Sequence, residues 1–176
     1  MILLKEIVKD NEKLKEFKRL GKIAKEQASS FLTKRGLDEA NYFVLKIKSF
    51  TRGKDWVAMY SGHTIMSGRP IFWINFDYFV EAEKQEPDIN LIWIFVDNII
   101  HEWWHAIMDY LRVMKYWRNH SVKTKVFITP GQEEEDMAEE FIHWVSGSGV
   151  TDKKDEDEFK LAIAEFNAFW SEDDKA

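Results

Sequence analysis

Cysteine is absent from this chain of 176 residues. Without thiols there can be no disulfide and no thiolate ligand, so any bound metal must lie on histidine and carboxylate side chains. Long apolar runs are missing too. The longest, residues 91–96, is far too short to cross a bilayer, and the apolar start at residues 1–4 is too short for a signal peptide. We therefore expect a cytoplasmic protein that contacts no membrane.

The composition is typical of one folded domain. Hydrophobic residues make up 45% of the chain, charged residues 32% and aromatic residues 15%, with eight tryptophans. A chain of this length can bury a real core, and large aromatic side chains are expected to fill much of it.

The charge is unevenly distributed around a net value of −6. Residues 1–35 carry ten Lys/Arg and five Asp/Glu, whereas residues 130–176 carry four Lys and fifteen Asp/Glu. The simpler interpretation is that solvated helix faces differ in sign and that the N-terminal helix packs near the acidic end. The alternative is a basic arm that contacts nucleic acid or an acidic partner. No nucleic-acid motif supports that alternative and the net charge argues against it, so we expect no nucleic-acid partner.

The first half of the chain predicts one helix and three strands. Apolar residues recur at helical spacing through residues 2–35, where Gly21 is a possible interruption and Gly36 a natural end. Residues 43–47 alternate apolar and polar side chains, residues 56–60 are a second strand candidate, and residues 71–76 are apolar on both faces. A strand with two apolar faces belongs in the middle of a sheet.

The second half predicts three helices. Pro87 suits the start of the first, which runs from residue 88 to about residue 111 and is apolar on most sides. Thr129 can cap the second, with Pro130 in its first turn and Gln132 completing a capping box. That helix ends near residues 147–149. The last begins at residue 151 or 152, and its apolar stripe packs on the core: Phe159, Ile163, Phe166 and Trp170.

The sequence His101-Glu102-Trp103-Trp104-His105 is a complete H-E-x-x-H motif within the long apolar helix. Residues four apart lie one turn apart on the same face, so both imidazoles can bind one ion. Glu102 stands about 100° round the helix from His101 and can lie beside the metal without binding it. Zinc lowers the pKa of a bound water, and a neighbouring carboxylate can accept its proton. Two core histidines at helical spacing are the simpler alternative, but they would leave polar groups to be satisfied inside an apolar helix.

A third protein ligand is expected from the acidic cluster on the next helix. Glu135 is our choice, with Glu134 and Glu139 as rivals. Glu139 lies one turn below Glu135, where its carboxylate could accept the second ring N–H of His101 and hold that tautomer. The alternative is that the acidic cluster lies at a solvated helix N-terminus, where negative charge interacts favourably with the helix dipole. That alternative explains Glu133 and Glu134 well, but it explains Glu135 and Glu139 less well.

Together, H-E-x-x-H on one helix and Glu135-x-x-Ala138-Glu139-x-Phe141 on the next resemble the gluzincin clan of zinc metallopeptidases. The short chain is most similar to the minigluzincins and the related small phage-type peptidases. The resemblance implies an α+β fold: an N-terminal helix, a small three-stranded, mostly antiparallel sheet, an active-site helix, a glutamate helix and a C-terminal helix. Residues 1–176 would form a single metallopeptidase-like domain, with the motif-bearing core at about residues 41–147.

The resemblance also implies an activity: zinc-dependent hydrolysis of peptide bonds in a peptide or protein substrate, with one Zn²⁺ per chain. His101, His105 and Glu135 would bind zinc, and Glu102 would act as general base and acid. Residues 56–60 would form an edge strand, hairpinned to residues 71–76, whose Val57, Ala58 and Met59 pair with substrate backbone. The alternative function is a latent or inactive regulatory protein that retains a gluzincin-like zinc site.

One residue of this chain departs from the pattern of the clan, and one role that the clan commonly fills has several candidates here. The clan often has Asp four residues after the third ligand, where this chain has Glu139. The clan also commonly supplies a side chain that stabilises the oxyanion. His143 and Tyr110 are the main candidates here, with Tyr116 and His120 as further ones, while His63 is expected to be a surface residue.

Overall fold

The computed structural model describes residues 2–49, 57–61, 69–117 and 131–173, but not the side chains of residues 2–10, 60, 61, 114–117 and 171–173. Its elements follow the order α1 (Ile2–Lys34), β1 (Val44–Lys48), β2 (Ala58–Ser61), β3 (Ile71–Asn75), α2 (Phe76–Gln85), α3 (Leu91–Trp117), α4 (Gln132–Ser146) and α5 (Lys153–Asp173). The predicted α+β fold is confirmed. None of the helices in the described ranges is long and apolar enough to span a membrane.

The sheet has the strand order β1-β3-β2, so the predicted central position of β3 is confirmed. β2 pairs antiparallel with β3, as the hairpin prediction required, but β1 pairs parallel with β3. The sheet is therefore mixed, and the prediction of a mostly antiparallel sheet was wrong. Alternation of apolar and polar residues determines which face a side chain occupies. It carries no information about the direction of the neighbouring strand.

The possible interruption at Gly21 does not occur, because α1 is continuous from Ile2 to Lys34. A Cβ atom at Gly21 would lie 2.8 Å from Cδ1 of Ile47 and 3.3 Å from Cδ2 of Leu45. The glycine therefore lets α1 approach β1 closely. Gly36 ends the helix as predicted, with a φ of 95° and a hydrogen bond from the Leu37 amide to the Leu32 carbonyl.

Gly21→Val is expected to lower the free energy of unfolding by about 1–3 kcal/mol, because the added Cβ and its two methyl groups would press on Ile47 and Leu45. Urea unfolding followed by circular dichroism measures the change. Lys15→Val is the matched control, since it places the same β-branched residue at an exposed position of α1. Equal stabilities of the two variants would contradict close packing at Gly21.

Helix α2 is an element that the sequence did not predict. Its first residue, Phe76, was assigned to the preceding strand, but the strand ends at Asn75. Phe76 and Phe79 are both buried and lie three residues apart, as expected of a short helix with one apolar face. The start of α3 also differs from the prediction of residue 88. The helix begins at Leu91, where the Asn90 side chain accepts a hydrogen bond from the Trp93 amide at 3.3 Å.

Helix α3 is the centre of the core and contacts α1, α4, α5, β2 and β3. Trp103 and Trp104, the two variable positions of H-E-x-x-H, are 1% and 0% exposed. Trp103 packs edge-on against Phe43 and Phe72, and Trp104 packs against Phe141 of α4 and Phe159 of α5. These contacts leave the histidine face of α3 directed towards α4.

The start of α4 differs from the predicted capping box. The N-cap is Gly131, with a φ of 117°, and it makes no side-chain capping hydrogen bond. Gln132 instead donates to Asp136 at 2.8 Å, while Thr129 and Pro130 lie outside the described residues. The predicted end of the helix is confirmed at Gly147, which has a φ of 71°.

Helix α5 begins at Lys153, just after Asp152, whose carboxylate accepts a hydrogen bond from the Lys154 amide at 2.7 Å. Its predicted stripe packs on the core, since Phe159, Ile163 and Phe166 are buried and Trp170 stacks on Phe166.

The basic N-terminal helix ends against the acidic C-terminal half of the chain. The guanidinium of Arg35 donates to the carbonyl of Trp144 and lies 4.8 Å from the centre of the Trp144 ring. Asn167 of α5 donates to the carbonyl of Gly36 at 2.6 Å. The simpler interpretation of the uneven charge, in which the two ends pack together, accounts for this end of α1.

Candidate metal centre

Three of the predicted site residues converge between α3 and α4. His101, His105 and Glu135 offer ligand atoms that all lie within 4.8 Å of one another, so the group could hold a metal ion. The two Nε2 atoms are 3.0 Å apart. The carboxylate oxygens of Glu135 lie 3.2 Å from Nε2 of His101 and 3.3 Å from Nε2 of His105.

These separations match the size of a zinc site. Four ligand atoms at the usual zinc distances occupy a tetrahedron whose edge is about 3.3 Å. The two Nε2 atoms are 3.0 Å apart, and each lies at a similar distance from a different oxygen of Glu135, His101 3.2 Å from Oε2 and His105 3.3 Å from Oε1. The donor set of two imidazoles and one carboxylate is also one that catalytic zinc uses. The residues present therefore fit a zinc ion with one position left for water or substrate.

Glu139 lies beside the second ring nitrogen of His101. Its Oε1 atom is 3.4 Å from Nδ1, which is the position that the spacing of four residues predicted. Burial and the neighbouring His105 lower the pKa of His101, while Glu135 and Glu139 oppose that change. An imidazole with a lowered pKa stays neutral to lower pH, which keeps its lone pair available to a metal.

Glu134 occupies a place that the sequence did not predict. It is 5% exposed, so the assignment to a solvated helix N-terminus was wrong. Its Oε1 atom accepts a hydrogen bond from the Nδ1–H of His105 at 2.7 Å, and its Oε2 atom accepts one from Arg112 at 2.6 Å. Glu134 is thus a buried bridge between the candidate ligand His105 and the guanidinium of Arg112. Glu135, the preferred ligand candidate, is 53% exposed.

The bridge determines the protonation of both groups. Burial alone would raise the pKa of Glu134, but hydrogen bonds from His105 and Arg112 outweigh it and the pKa is lowered. Burial likewise acts to lower the pKa of His105, yet the bond to Glu134 and the charges of Glu102 and Glu135 raise it. An ionised Glu134 holds the Nδ1 proton of His105, which leaves Nε2 as the metal-binding atom.

Glu134→Gln is expected to weaken zinc binding by about 10- to 100-fold, because the amide holds the Nδ1–H of His105 less strongly than a carboxylate does. Competition with a chromophoric chelator measures the affinity. Glu133→Gln, an exposed change one residue away, removes the same charge without touching His105. If both variants lost affinity equally, net charge rather than the bridge would be responsible.

A small cleft of about 430 Å³ opens beside the candidate ligands. Glu102, which is 5% exposed, lines it together with both histidines and Glu135. Ala58 and Met59 of the edge strand β2 form another part of the wall, and Asp109, Arg112 and Glu134 complete the lining. Two larger grooves lie elsewhere on the molecule, but this cleft is the one that contains the candidate ligand atoms.

Of the three residues predicted to pair with substrate, two reach this cleft. Val57 precedes β2, and its carbonyl accepts a hydrogen bond from the Asn75 amide at 3.0 Å, so that carbonyl is directed towards β3. Met59 is 44% exposed. Trp56, the first residue of the predicted strand, lies outside the described residues.

Neither of the two main oxyanion candidates, Tyr110 and His143, lines the cleft. Tyr110 is 2% exposed and packs its ring against Phe166 and Trp170 of α5. The exposed His143 lies at the far end of α4, with its Nδ1 atom 3.1 Å from the Ser148 hydroxyl. The side chain of Tyr116 lies outside the described residues, as do the whole of His120 and His63.

Arg112 and Asp109 are cleft residues that the sequence interpretation missed. They follow His105 by seven and four residues, and residues at such spacing share one face of a helix. That spacing was a usable signal. The H-E-x-x-H pattern ends at His105, so it does not include these two positions.

Comparison with known proteins adds no further assignment. No protein-family model, no curated protein and no solved structure matches this chain. The gluzincin resemblance consequently stays a prediction from the motif. Independently of it, the chain has a group formed by His101, His105 and Glu135 that could hold a metal ion.

Proposed function

We propose that this protein is a zinc-dependent metalloendopeptidase. One observation carries the proposal: the buried carboxylate of Glu102 lines the same cleft as the three converging ligand atoms of His101, His105 and Glu135. A purely structural metal site needs four protein ligands and no adjacent base. Three ligands, an accessible cleft and a carboxylate beside them are the features of a hydrolytic site.

The residues divide into those that would hold the metal and those that would move protons. A zinc ion held by His101, His105 and Glu135 supplies Lewis acidity, which lowers the pKa of water and polarises a carbonyl group. Glu102 accepts the proton of the attacking water on its carboxylate and delivers it to the leaving amine. Because Glu102 is almost fully buried, bulk water competes little for that proton.

The edge strand supports a peptide as the substrate. β2 pairs with β3 along one side, and in the described part of the chain no strand pairs with its other side. Ala58 and Met59 line the cleft, so an extended peptide added to β2 would pass the candidate metal centre. Recognition through main-chain hydrogen bonds binds many sequences with little selectivity for side chains.

Arg112 is the residue that we propose to stabilise the developing oxyanion, in place of Tyr110 or His143. Of the described residues that line the cleft, it alone carries a Lys or Arg side chain. Both of its terminal nitrogens contact Glu134, which fixes the direction of the guanidinium. A fixed cation near the site where negative charge develops lowers the energy of the transition state.

The proposal is tested with the full chain and an unfolded protein substrate. Cleavage is expected with zinc, is expected to stop when a chelator removes the metal, and is expected to return when zinc is added in slight excess. Readdition of magnesium is the control, because two imidazoles and one carboxylate suit zinc far better than magnesium. Stoichiometric zinc binding without any cleavage would contradict the proposal and favour the alternative, a regulatory protein that retains the metal site.

A further inference from the structure

A groove lined by positive charge runs along β1, at the opposite edge of the sheet from the metal cleft. Its volume is about 720 Å³. None of the described residues that line it carries a negative charge, and none of them also lines the metal cleft. Six cationic side chains contribute to the lining: Lys18, Lys22, Lys25, Lys46, Lys48 and Arg69.

Two periodicities bring these cations together. Lys18, Lys22 and Lys25 are spaced by four and three residues, so they share one face of α1 and lie about one turn apart. Lys46 and Lys48 are two residues apart in β1, so they point to the same face of the sheet, about 7 Å apart. Leu45 and Ile47, which alternate with these lysines, face α1 at Gly21, itself a groove residue, so the helix row and the strand row lie on opposite faces of β1 and flank the edge of that strand.

An aromatic ring lies among the cations. Trp73, on the neighbouring strand β3, is the register partner of Lys46. The ammonium groups of Lys46 and Lys48 lie 4.9 and 5.9 Å from the centre of the indole. Such contacts hold the lysines over the ring only weakly at a solvated site, so an anion can draw them away and leave the ring face for stacking.

Two of the groove cations, Lys25 and Arg69, lie close enough to repel each other. The pKa of Lys25 is lowered, first by its partial burial and then by the charge of Arg69. Concentrating like charges is unfavourable for folding, and a bound polyanion relieves the repulsion.

We infer that this groove binds single-stranded nucleic acid through its phosphodiester backbone, with Trp73 as a stacking surface for a base. A cationic groove with an embedded aromatic ring is the combination that sequence-tolerant single-strand binders use. An acidic protein is the less favoured occupant, because it has no planar base to place on Trp73. The net charge of −6 argued against nucleic acid, but net charge averages over a surface that the fold has divided into regions of opposite sign.

The test measures binding of a fluorescent oligonucleotide of about 12 nucleotides to the full chain by anisotropy over a range of salt concentrations. If all six cations contact phosphates, the slope of log K against log salt is expected near about −4. In Lys22→Gln/Lys46→Gln/Lys48→Gln the slope should fall to about −2 and the affinity should drop at least about tenfold at low salt. The three lysines are exposed, so the variant should fold.

The matched control is Lys15→Gln/Arg19→Gln/Lys154→Gln, which removes the same charge from exposed positions outside the groove. It is expected to bind the oligonucleotide as the wild type does. A second variant, Trp73→Leu, should weaken single-strand binding while leaving the salt slope unchanged, as expected for loss of stacking alone. Circular dichroism verifies that this variant is folded.

Three outcomes would overturn the inference. The first is no detectable binding at low salt. The second is an equal loss of affinity in the groove variant and the control variant, which would show only non-specific attraction. The third is displacement of the oligonucleotide by polyglutamate at the same concentration of charge, which would identify an acidic protein surface as the better ligand. Because the groove and the metal cleft share no residues, the peptidase assay does not affect this result.

Discussion

Glu102→Gln is expected to reduce peptide cleavage by about 10²- to 10⁴-fold, the usual contribution of a positioned general base. The amide is nearly the same size as the carboxylate, so the variant should fold and should keep its metal. It cannot accept a proton from water, however, and it cannot pass one to the leaving amine. Initial rates of cleavage and metal content, measured on the same preparation, check the prediction.

The pairing of the two measurements makes this prediction specific. Loss of activity with metal near one per chain assigns proton transfer to Glu102. Loss of activity together with the metal would instead indicate that Glu102 holds the site in shape. Glu133→Gln, which removes an exposed carboxylate from α4, should retain full activity. A Glu102→Gln protein as active as the wild type would exclude Glu102 as the base.

His101→Ala is expected to lower the zinc content from near one per chain to near zero at micromolar free zinc. The variant leaves two protein ligands, His105 and Glu135, and a two-ligand site binds zinc far more weakly than a three-ligand site. Metal analysis after gel filtration measures the content. His143→Ala is the control, because it removes an exposed imidazole that does not belong to the ligand group.

The His101→Ala variant should also lack the stabilisation that zinc gives to the wild type. A ligand that binds only the folded state stabilises it by about 4 kcal/mol when its concentration is 1,000 times its Kd. Zinc should therefore raise the Tm of the wild type and of His143→Ala, but not that of His101→Ala. An equal rise in all three proteins would place the metal elsewhere and contradict the assignment of His101 as a ligand.

The elements that the sequence predicted well are those governed by local spacing. The long helices follow from apolar residues at helical intervals, and the ends of α1 and α4 follow from glycines that adopt a positive φ. The juxtaposition of His101 and His105 is of the same kind, because a separation of four residues brings two side chains together on any α-helix.

The less well predicted elements depend on partners that are distant in the sequence. The parallel pairing of β1 with β3 depends on how the chain returns to the sheet, which alternation does not record. Gly21 lies within α1 at the point where the helix closely approaches Leu45 and Ile47, two residues that are distant in the sequence. Helix α2 was missed because its apolar residues continue directly from those of β3, and a short apolar run does not distinguish a strand from a helix.

The arrangement of the acidic cluster of α4 depends both on local spacing and on contacts with residues that are distant in the sequence. Its sequence identified Glu135 as the preferred ligand candidate, yet it assigned the burial of neighbouring residues incorrectly. Which carboxylate enters the interior depends on the rotation of α4 against α3, and Arg112 on α3 lies where it can pair with a buried Glu134. A carboxylate can be buried only where such partners exist, and those partners belong to the tertiary structure.

The sequence by itself determined that two imidazoles lie on one face of a helix, that Glu102 follows the first of them, and that no thiol ligand is present. These features depend on residue type and helical spacing alone. Only the tertiary structure decided that Glu135 meets both histidines, that Glu134 holds His105 and that the six cations share one groove. Those arrangements depend on how helices and strands pack across long separations in the sequence. The packing of buried side chains decides them, and the local pattern of residues does not.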